Sequence, residues 1–332
     1  MATKKQKIGW IGIGRMGYEM ALRLAKAGCD LTVYNRTRAK AEPLAKHGAK
    51  IADHVTDLAS CDVVFCMVST YADVKAVIAG PTGLLSRAKG KAGAPRIVVE
   101  CSSISLDGSA ELRGILKQHG TELLAAPVSG NAKVIKAGKL SFVCSGPRAV
   151  FDEVEPLLKL VAPSASYVGE GELARIVKIC HNVFLGVVTQ SLAEITVLAQ
   201  KAGVPRHAFL EFMNQSVLGS VFSRYKTPAF VNLDFKVTFT PTLLRKDMDL
   251  GLEAARKYEV PMPLASITRD TIQAMMGNGM TEQDFATLLL LQAKASGIAL
   301  EPENVAVSDG LSCDPLAGEE AGAMGMAVPR QI

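Results

Sequence analysis

Along the first half of the chain, hydrophobic residues come in short runs separated by helix-spaced stretches. Ile8-Gly9-Trp10-Ile11 is such a run. After it, Met20, Leu22, Leu24 and Ala25, with Arg23 and Lys26 between them, take the spacing of an amphipathic helix that Gly28 ends. Asp30-Leu31-Thr32-Val33-Tyr34 reads as the next strand, 41–46 as helical, and Ala49-Lys50-Ile51 as a short strand. The continuous apolar runs 62–68 and 96–101 suit parallel strands buried on both faces, with a helix over 71–78 between them. Glu122 to Ala126, Ser141 to Ser145 and a last strand near Ser166-Tyr167-Val168 are expected to complete the same sheet. Such alternation predicts a doubly wound, mostly parallel α/β (Rossmann) domain over 1–170, with right-handed crossovers.

Beyond Gly171 the strand pattern ceases. Helical spacing runs unbroken from Leu173 to about Ala202, then recurs at 206–213, 243–258, 264–278 and 283–296. The prediction is an all-α domain over 171–298, joined to the first by a long interdomain helix. Residues 299–332, rich in Gly, Ala, Met, Pro and acidic residues, lack periodicity and are expected to be disordered or to pack on a partner subunit.

Composition narrows the function. A net charge of +5 over 332 residues suits anionic cofactors and carboxylate substrates, while the lack of a dense basic run and only 5% aromatic residues argue against nucleic acid. The seven cysteines are scattered without a CxxC pair, as expected of reduced thiols in the cytoplasm. The five histidines show no metal-binding spacing. No run is expected to reach the length of a membrane span, and the N-terminal lysines lead into a core strand rather than a signal segment.

The strand–turn–helix at the start carries Gly12-Ile13-Gly14-Arg15-Met16-Gly17. This is the order a dinucleotide-binding turn needs: Gly12 for the tight turn, Gly14 for close approach of a pyrophosphate, Gly17 for close helix packing. The second strand ends in Asn35-Arg36-Thr37-Arg38, where NAD-binding folds usually place Asp or Glu. An asparagine followed by arginines removes the carboxylate that repels a 2′-phosphate and adds guanidiniums that grip one, so NADP is the expected cofactor and NAD the second choice. Ligands in such sheets gather at the carboxyl ends of the strands, which makes Met67-Val68-Ser69 and Ser102-Ser103 candidates to line the cofactor.

Lys178 and Asn182 stand at i, i+4 on one face of the long helix. A lysine there serves as proton donor if burial and nearby positive charge lower its pKa; a solvated surface lysine is the plain alternative. The segments 12–17, Ala126-Pro127-Val128-Ser129-Gly130, 169–182 and Leu244-Arg245-Lys246-Asp247-Met248-Asp249-Leu250 together resemble the β-hydroxyacid dehydrogenases. That family includes 3-hydroxyisobutyrate dehydrogenase, tartronate semialdehyde reductase and the glyoxylate/succinic semialdehyde reductases.

The resemblance implies Lys178 as general acid/base and Asn182 as the residue that orients substrate. It implies Ser129 and Gly130 as the carboxylate site with Ser103 nearby, Lys246 near the nicotinamide, and Asp247 steadying Lys178. Phe239 either closes over the pocket or packs in the core. The implied activity interconverts a small 3-hydroxy acid and its semialdehyde or keto acid, in a homodimer or homotetramer built through the helical domain.

Three positions depart from the family pattern. Ala125 replaces an aspartate, and Asn131 replaces a glycine and offers substrate a hydrogen-bonding side chain. His181 replaces an asparagine and is read as either a substrate contact or a packing residue, packing being favoured. Two rivals stand beside this reading: an imine reductase or reductive aminase of the same fold, whose branch generally lacks the lysine, and a non-catalytic dinucleotide-binding scaffold.

Overall fold

The computed structural model describes residues 6–311. Six parallel strands form the main sheet: β1 (Lys7–Ile11), β2 (Asp30–Tyr34), β3 (Lys50–Ile51), β4 (Val63–Cys66), β5 (Ile97–Glu100) and β6 (Glu122–Ala125), in the order β3-β2-β1-β4-β5-β6. Successive side chains point to opposite faces, so each strand feeds two cores. Ile8, Trp10, Val63 and Phe65 lie on one face, where Trp10 and Phe65 stack at 5.2 Å. Ile11, Val64 and Cys66 lie on the other. α1 (Arg15–Lys26) covers the first face with Met20 and Leu24; α2 (Tyr71–Ala79) and α3 (Leu106–Gln118) cover the second with Val74, Ile78, Leu112 and Leu116.

The strands after β6 do not complete this sheet. β7 (Val128–Ser129), β8 (Ser141–Cys144) and β9 (Ser164–Tyr167) form a separate three-stranded sheet, joined to the first by an antiparallel bridge between Ala125 and Ser145. Pro127 follows Ala126 directly and has no backbone N–H to continue a ladder, so the chain turns at this point and re-pairs with β8. α4 (Ala132–Lys136) follows β7, and α5 (Arg148–Val161) packs Phe151, Val154 and Leu158 onto the first face of the main sheet.

α6 (Leu173–Lys201) leaves the sheet and becomes the axis of a helical half, surrounded by α7 (Arg206–Gln215), α8 (Val221–Asn232), α9 (Pro241–Lys257), α10 (Pro263–Gly277) and α11 (Leu288–Ala295). Contrary to the sequence reading, α6 is long and apolar enough to cross a membrane; half of its most apolar window is buried inside the protein, as a core helix requires. α6 and α9 cross closely: a Cβ on Gly251 would lie 2.1 Å from Val183 Cγ2. That crossing brings Lys178 and Asn182 of α6 against Lys246 and Asp247 of α9.

The beginning of the tail also departs from expectation, since 298–311 packs on its own chain. Ile298, Leu300, Val305 and Val307 sit against the core formed by α6, α7, α8 and α11. The buried Arg206 donates to the carbonyls of Phe230, Val231 and Glu301, and Glu303 accepts from the backbone N–H groups of Arg206 and His207. Lys139 donates to the Gly310 carbonyl at 2.6 Å, and Leu311 is buried beside Val134 and Ala137. Residues 312–332 lie outside the described residues.

Candidate active site

The strand order reverses between β1 and β4, and the Gly12–Gly17 turn stands there, where doubly wound sheets open their ligand crevice. Gly12 has φ +96°, and a Cβ on it would meet the Met67 carbonyl oxygen at 2.2 Å; one on Gly17 would meet the Gly12 carbonyl oxygen at 2.0 Å. Gly14, by contrast, faces open space. It begins α1 without a side-chain cap and with no acidic residue in the first turn, so the helix's leading N–H groups are left to an anion. These features fit a dinucleotide pyrophosphate.

At the end of β2, Asn35 accepts from Ile13 N at 2.9 Å and donates to the Thr37 carbonyl, tying the two cofactor loops together. Arg38 pairs with Asp53 and Glu42, so its guanidinium is already engaged rather than free for a 2′-phosphate.

A cleft of ≈ 520 Å³ opens between the carboxyl edge of the sheet and the helical half. It gathers Arg15, Met16, Met67, Val68 and Ser69 with Ser103, Ser129, Gly130, Asn131, Lys178, Asn182, Phe239, Lys246 and Asp247. Asn35, Arg36 and Thr37 stand outside its lining, at the end of β2. Val68 N donates to Ser102 Oγ at 2.9 Å, which fixes the loop after β4 to the loop after β5.

α6 is held in place by a pair the sequence reading missed. Arg175, 1% exposed, donates to Glu100 Oε2 at 2.5 Å and to the Ser102 carbonyl at 2.7 Å. One turn later on the same helix, Lys178 stands in a recess with Ser103, Asn182 and Asp247. Burial pushes its ammonium pKa down to about 8, with Asp247 opposing the shift and Lys246 adding to it.

A continuous hydrogen-bond chain runs beside Lys178. Lys246 Nζ pairs with Asp247 Oδ1 at 3.1 Å, Asn182 Nδ2 donates to Asp247 Oδ2 at 2.6 Å, and Asn182 Oδ1 lies 2.9 Å from His181 Nδ1. His181 Nε2 lies 2.8 Å from Ser129 Oγ. His181 is therefore a polar link in the site and not the packing residue its position in an apolar helix suggests. Burial, and then the charge of Lys178, lower its pKa against the support of Asn182.

Asn131 spends its carbonyl oxygen on Val134 N at 3.1 Å, capping α4, and its side chain also bonds the Tyr225 phenol. Ala125 is fully buried in the bridge to Ser145. Phe239 both lines the cleft and packs edge-to-face on Phe285 at 5.9 Å. Its segment is pinned from below: Asp284, paired with the buried Lys226 at 2.5 Å, accepts from Thr238 N and Thr238 Oγ1. Arg15 donates to the Val237 carbonyl at 3.3 Å, bridging the glycine-rich turn to that segment.

A dinucleotide turn facing a half-buried lysine across a cleft defines an NAD(P)-dependent oxidoreductase acting on CH–OH groups. Residues 7–169 match the NAD-binding domain of 6-phosphogluconate dehydrogenase, and 172–291 match the NAD-binding domain of NADP-dependent 3-hydroxyisobutyrate dehydrogenase. The chain belongs to the β-hydroxyacid dehydrogenase family.

It is 28% identical over 299 residues to 2-(hydroxymethyl)glutarate dehydrogenase of Eubacterium barkeri, covering 90% of this chain and 98% of the relative. It is 29% identical over 283 residues to the chloroplastic glyoxylate/succinic semialdehyde reductase 2 of Arabidopsis thaliana, covering 85% and 78%. Among solved structures, Mycobacterium tuberculosis 3-hydroxyisobutyrate dehydrogenase with L-serine matches with a TM-score of 0.73 at 25% identity, over 87% of this chain and 99% of that one. An imine reductase from Myxococcus stipitatus shares the fold, with a TM-score of 0.56 at 23% identity, over 85% and 98%.

Proposed function

We propose that the protein is an NADPH-preferring reductase of a small carboxylate-bearing semialdehyde or keto acid, reversible to the 3-hydroxy acid. The observation that carries this reading is Lys178, half-buried at the foot of the cleft with its pKa lowered to about 8. The relatives named for a hydroxy acid and for semialdehydes support the substrate class. Residues 1–170 are read as the cofactor-binding domain and 171–298 as the domain that completes the site.

When bound, NADPH supplies the hydride. The N-terminal turn of α1 and Arg36 would hold its phosphates, with Thr37 beside them, and Arg36 would set the preference for NADPH. Met67, Val68 and Ser69 form the wall along the carboxyl end of β4. Lys178 donates a proton from Nζ to the carbonyl oxygen as it becomes a hydroxyl, and withdraws it in the reverse direction. Asn182 and Asp247 orient Lys178 and the substrate oxygen; Lys246, paired with Asp247, adds positive charge at the carbonyl. The Ser129–Asn131 loop receives the carboxylate, with Ser103 on the opposite wall, and Phe239 excludes water.

Exposed apolar positions on the helical half, such as Phe184 and Leu198, suit assembly into a dimer or tetramer. NADPH consumption with glyoxylate, succinic semialdehyde, methylmalonate semialdehyde and tartronate semialdehyde tests the reading. Turnover with at least one, lost in Lys178→Ala while NADPH still binds, is the expected result. Silence across the panel together with reduction of a cyclic imine would replace it with the imine reductase reading.

A further inference from the structure

The direction of each hydrogen bond in the chain from Lys246 to Ser129 follows from its charged end. Asp247, ion-paired with Lys246, can only accept, so Asn182 presents its NH2 to Asp247 and its oxygen to His181. An amide oxygen can only accept, so His181 carries its proton on Nδ1. In the neutral ring Nε2 is then an acceptor, and Ser129 must give its hydroxyl hydrogen to it across 2.8 Å. What Ser129 has left for the cleft is a pair of lone pairs.

We infer that His181 turns Ser129 into a hydrogen-bond acceptor toward substrate, so that the site selects a 3-oxo acid whose carbon 2 bears a donor, a hydroxyl or an ammonium group, over one bearing an alkyl group. This deepens the function proposed above and rests on it. Ser129 touches the substrate; His181 is a positioning residue that acts through it. The carboxylate is left to backbone N–H groups of the 129–131 loop. An acceptor oxygen aimed at a methyl group loses its partner, and a site built around a substrate hydroxyl rejects the analogue that lacks it.

The test uses two substrates of nearly equal shape, 2-hydroxy-3-oxopropanoate and 2-methyl-3-oxopropanoate. The native enzyme is expected to prefer the hydroxyl compound roughly tenfold or more in kcat/KM. Ser129→Ala should erase that preference, lowering kcat/KM for the hydroxyl compound roughly tenfold more than for the methyl compound. An equal fall on both substrates would overturn the inference, because Ser129 would then be a donor to the carboxylate they share.

A second measurement needs no turnover. 15N NMR of the full-length protein, with the His181 signal assigned through His181→Asn, is expected to show the Nδ1–H tautomer, and Ser129→Ala is expected to shift Nε2. The Nε2–H tautomer would sink the inference even if the enzyme is active. If neither substrate turns over while NADPH binds, the reductase reading fails, and the tautomer alone then decides whether Ser129 is an acceptor.

Discussion

Arg175 and Glu100 form a buried ion pair that fastens the first turn of α6 to the carboxyl end of β5. The two side chains are 1% and 0% exposed, so neither has water to fall back on. Arg175→Met strands a buried carboxylate and is expected to cost about 3–5 kcal/mol of stability, whereas Arg175→Met with Glu100→Met together costs much less. Denaturant unfolding of both variants checks this. Because Lys178 lies one turn beyond Arg175, the single variant should also lose kcat, and a stable but fully active Arg175→Met enzyme would show that the pair does not position the lysine.

Lys178 should impose a pH profile whose sign depends on direction. Reduction needs the protonated amine, so its rate falls as pH rises through about 8. Oxidation of the hydroxy acid needs the neutral amine and rises through the same region. Asp247 opposes the lowering of the Lys178 pKa, so Asp247→Asn should move both limbs to lower pH. Lys178→Ala should reduce turnover by about a hundred- to ten-thousand-fold in either direction. Rates measured from pH 6 to pH 10 with each substrate check all of these.

On the proposed reading Arg36 is the residue that grips the 2′-phosphate, since Arg38 is paired with Asp53 and Glu42. Arg36→Ala is expected to weaken NADPH roughly ten- to a hundredfold and to leave NADH nearly unchanged. Arg38→Ala should change the ratio much less. Titration of both cofactors against the two variants separates them, and an unchanged preference in Arg36→Ala would remove the 2′-phosphate role from this loop.

Arg206 reaches three backbone carbonyls with a planar fork that a lysine does not reproduce. Arg206→Lys is therefore expected to lose about 1–3 kcal/mol through the carbonyls it leaves unpaired. A lowered melting temperature with unchanged kinetics is the expected signature, since Arg206 is not among the residues lining the cleft.

What was legible in the sequence follows from where the signal is local. The buried runs of β1, β4 and β5 and the long apolar spacing of α6 stand out because each element is apolar along its length. α3 was missed because Gly108 and Gly114 interrupt a helix of near-neutral hydropathy; its start is marked only by the Ser105 cap. α5 and α8 each carry an internal proline, Pro156 and Pro228, which reads as a break.

Of the site residues drawn from the motifs, Lys178, Asn182, Ser129, Lys246 and Asp247 line one cleft, while Asn35, Arg36 and Thr37 stand outside it. His181 did not announce itself, because its partners Ser129 and Asn182 meet it only once α6 has docked against β7. Arg175 and Glu100, 75 positions apart, carry no local pattern at all.

The segment 298–311 bears on protein engineering. The match to the 3-hydroxyisobutyrate dehydrogenase module ends at residue 291, yet the chain runs on along the helical half to Lys139 and Val134, just past the loop that carries Ser129. The transplantable module is accordingly longer than its family outline. A chimaera cut at that outline would bare Ile298's and Val305's apolar berth and strip Arg206 of a partner, so recombination with a related reductase belongs beyond Leu311.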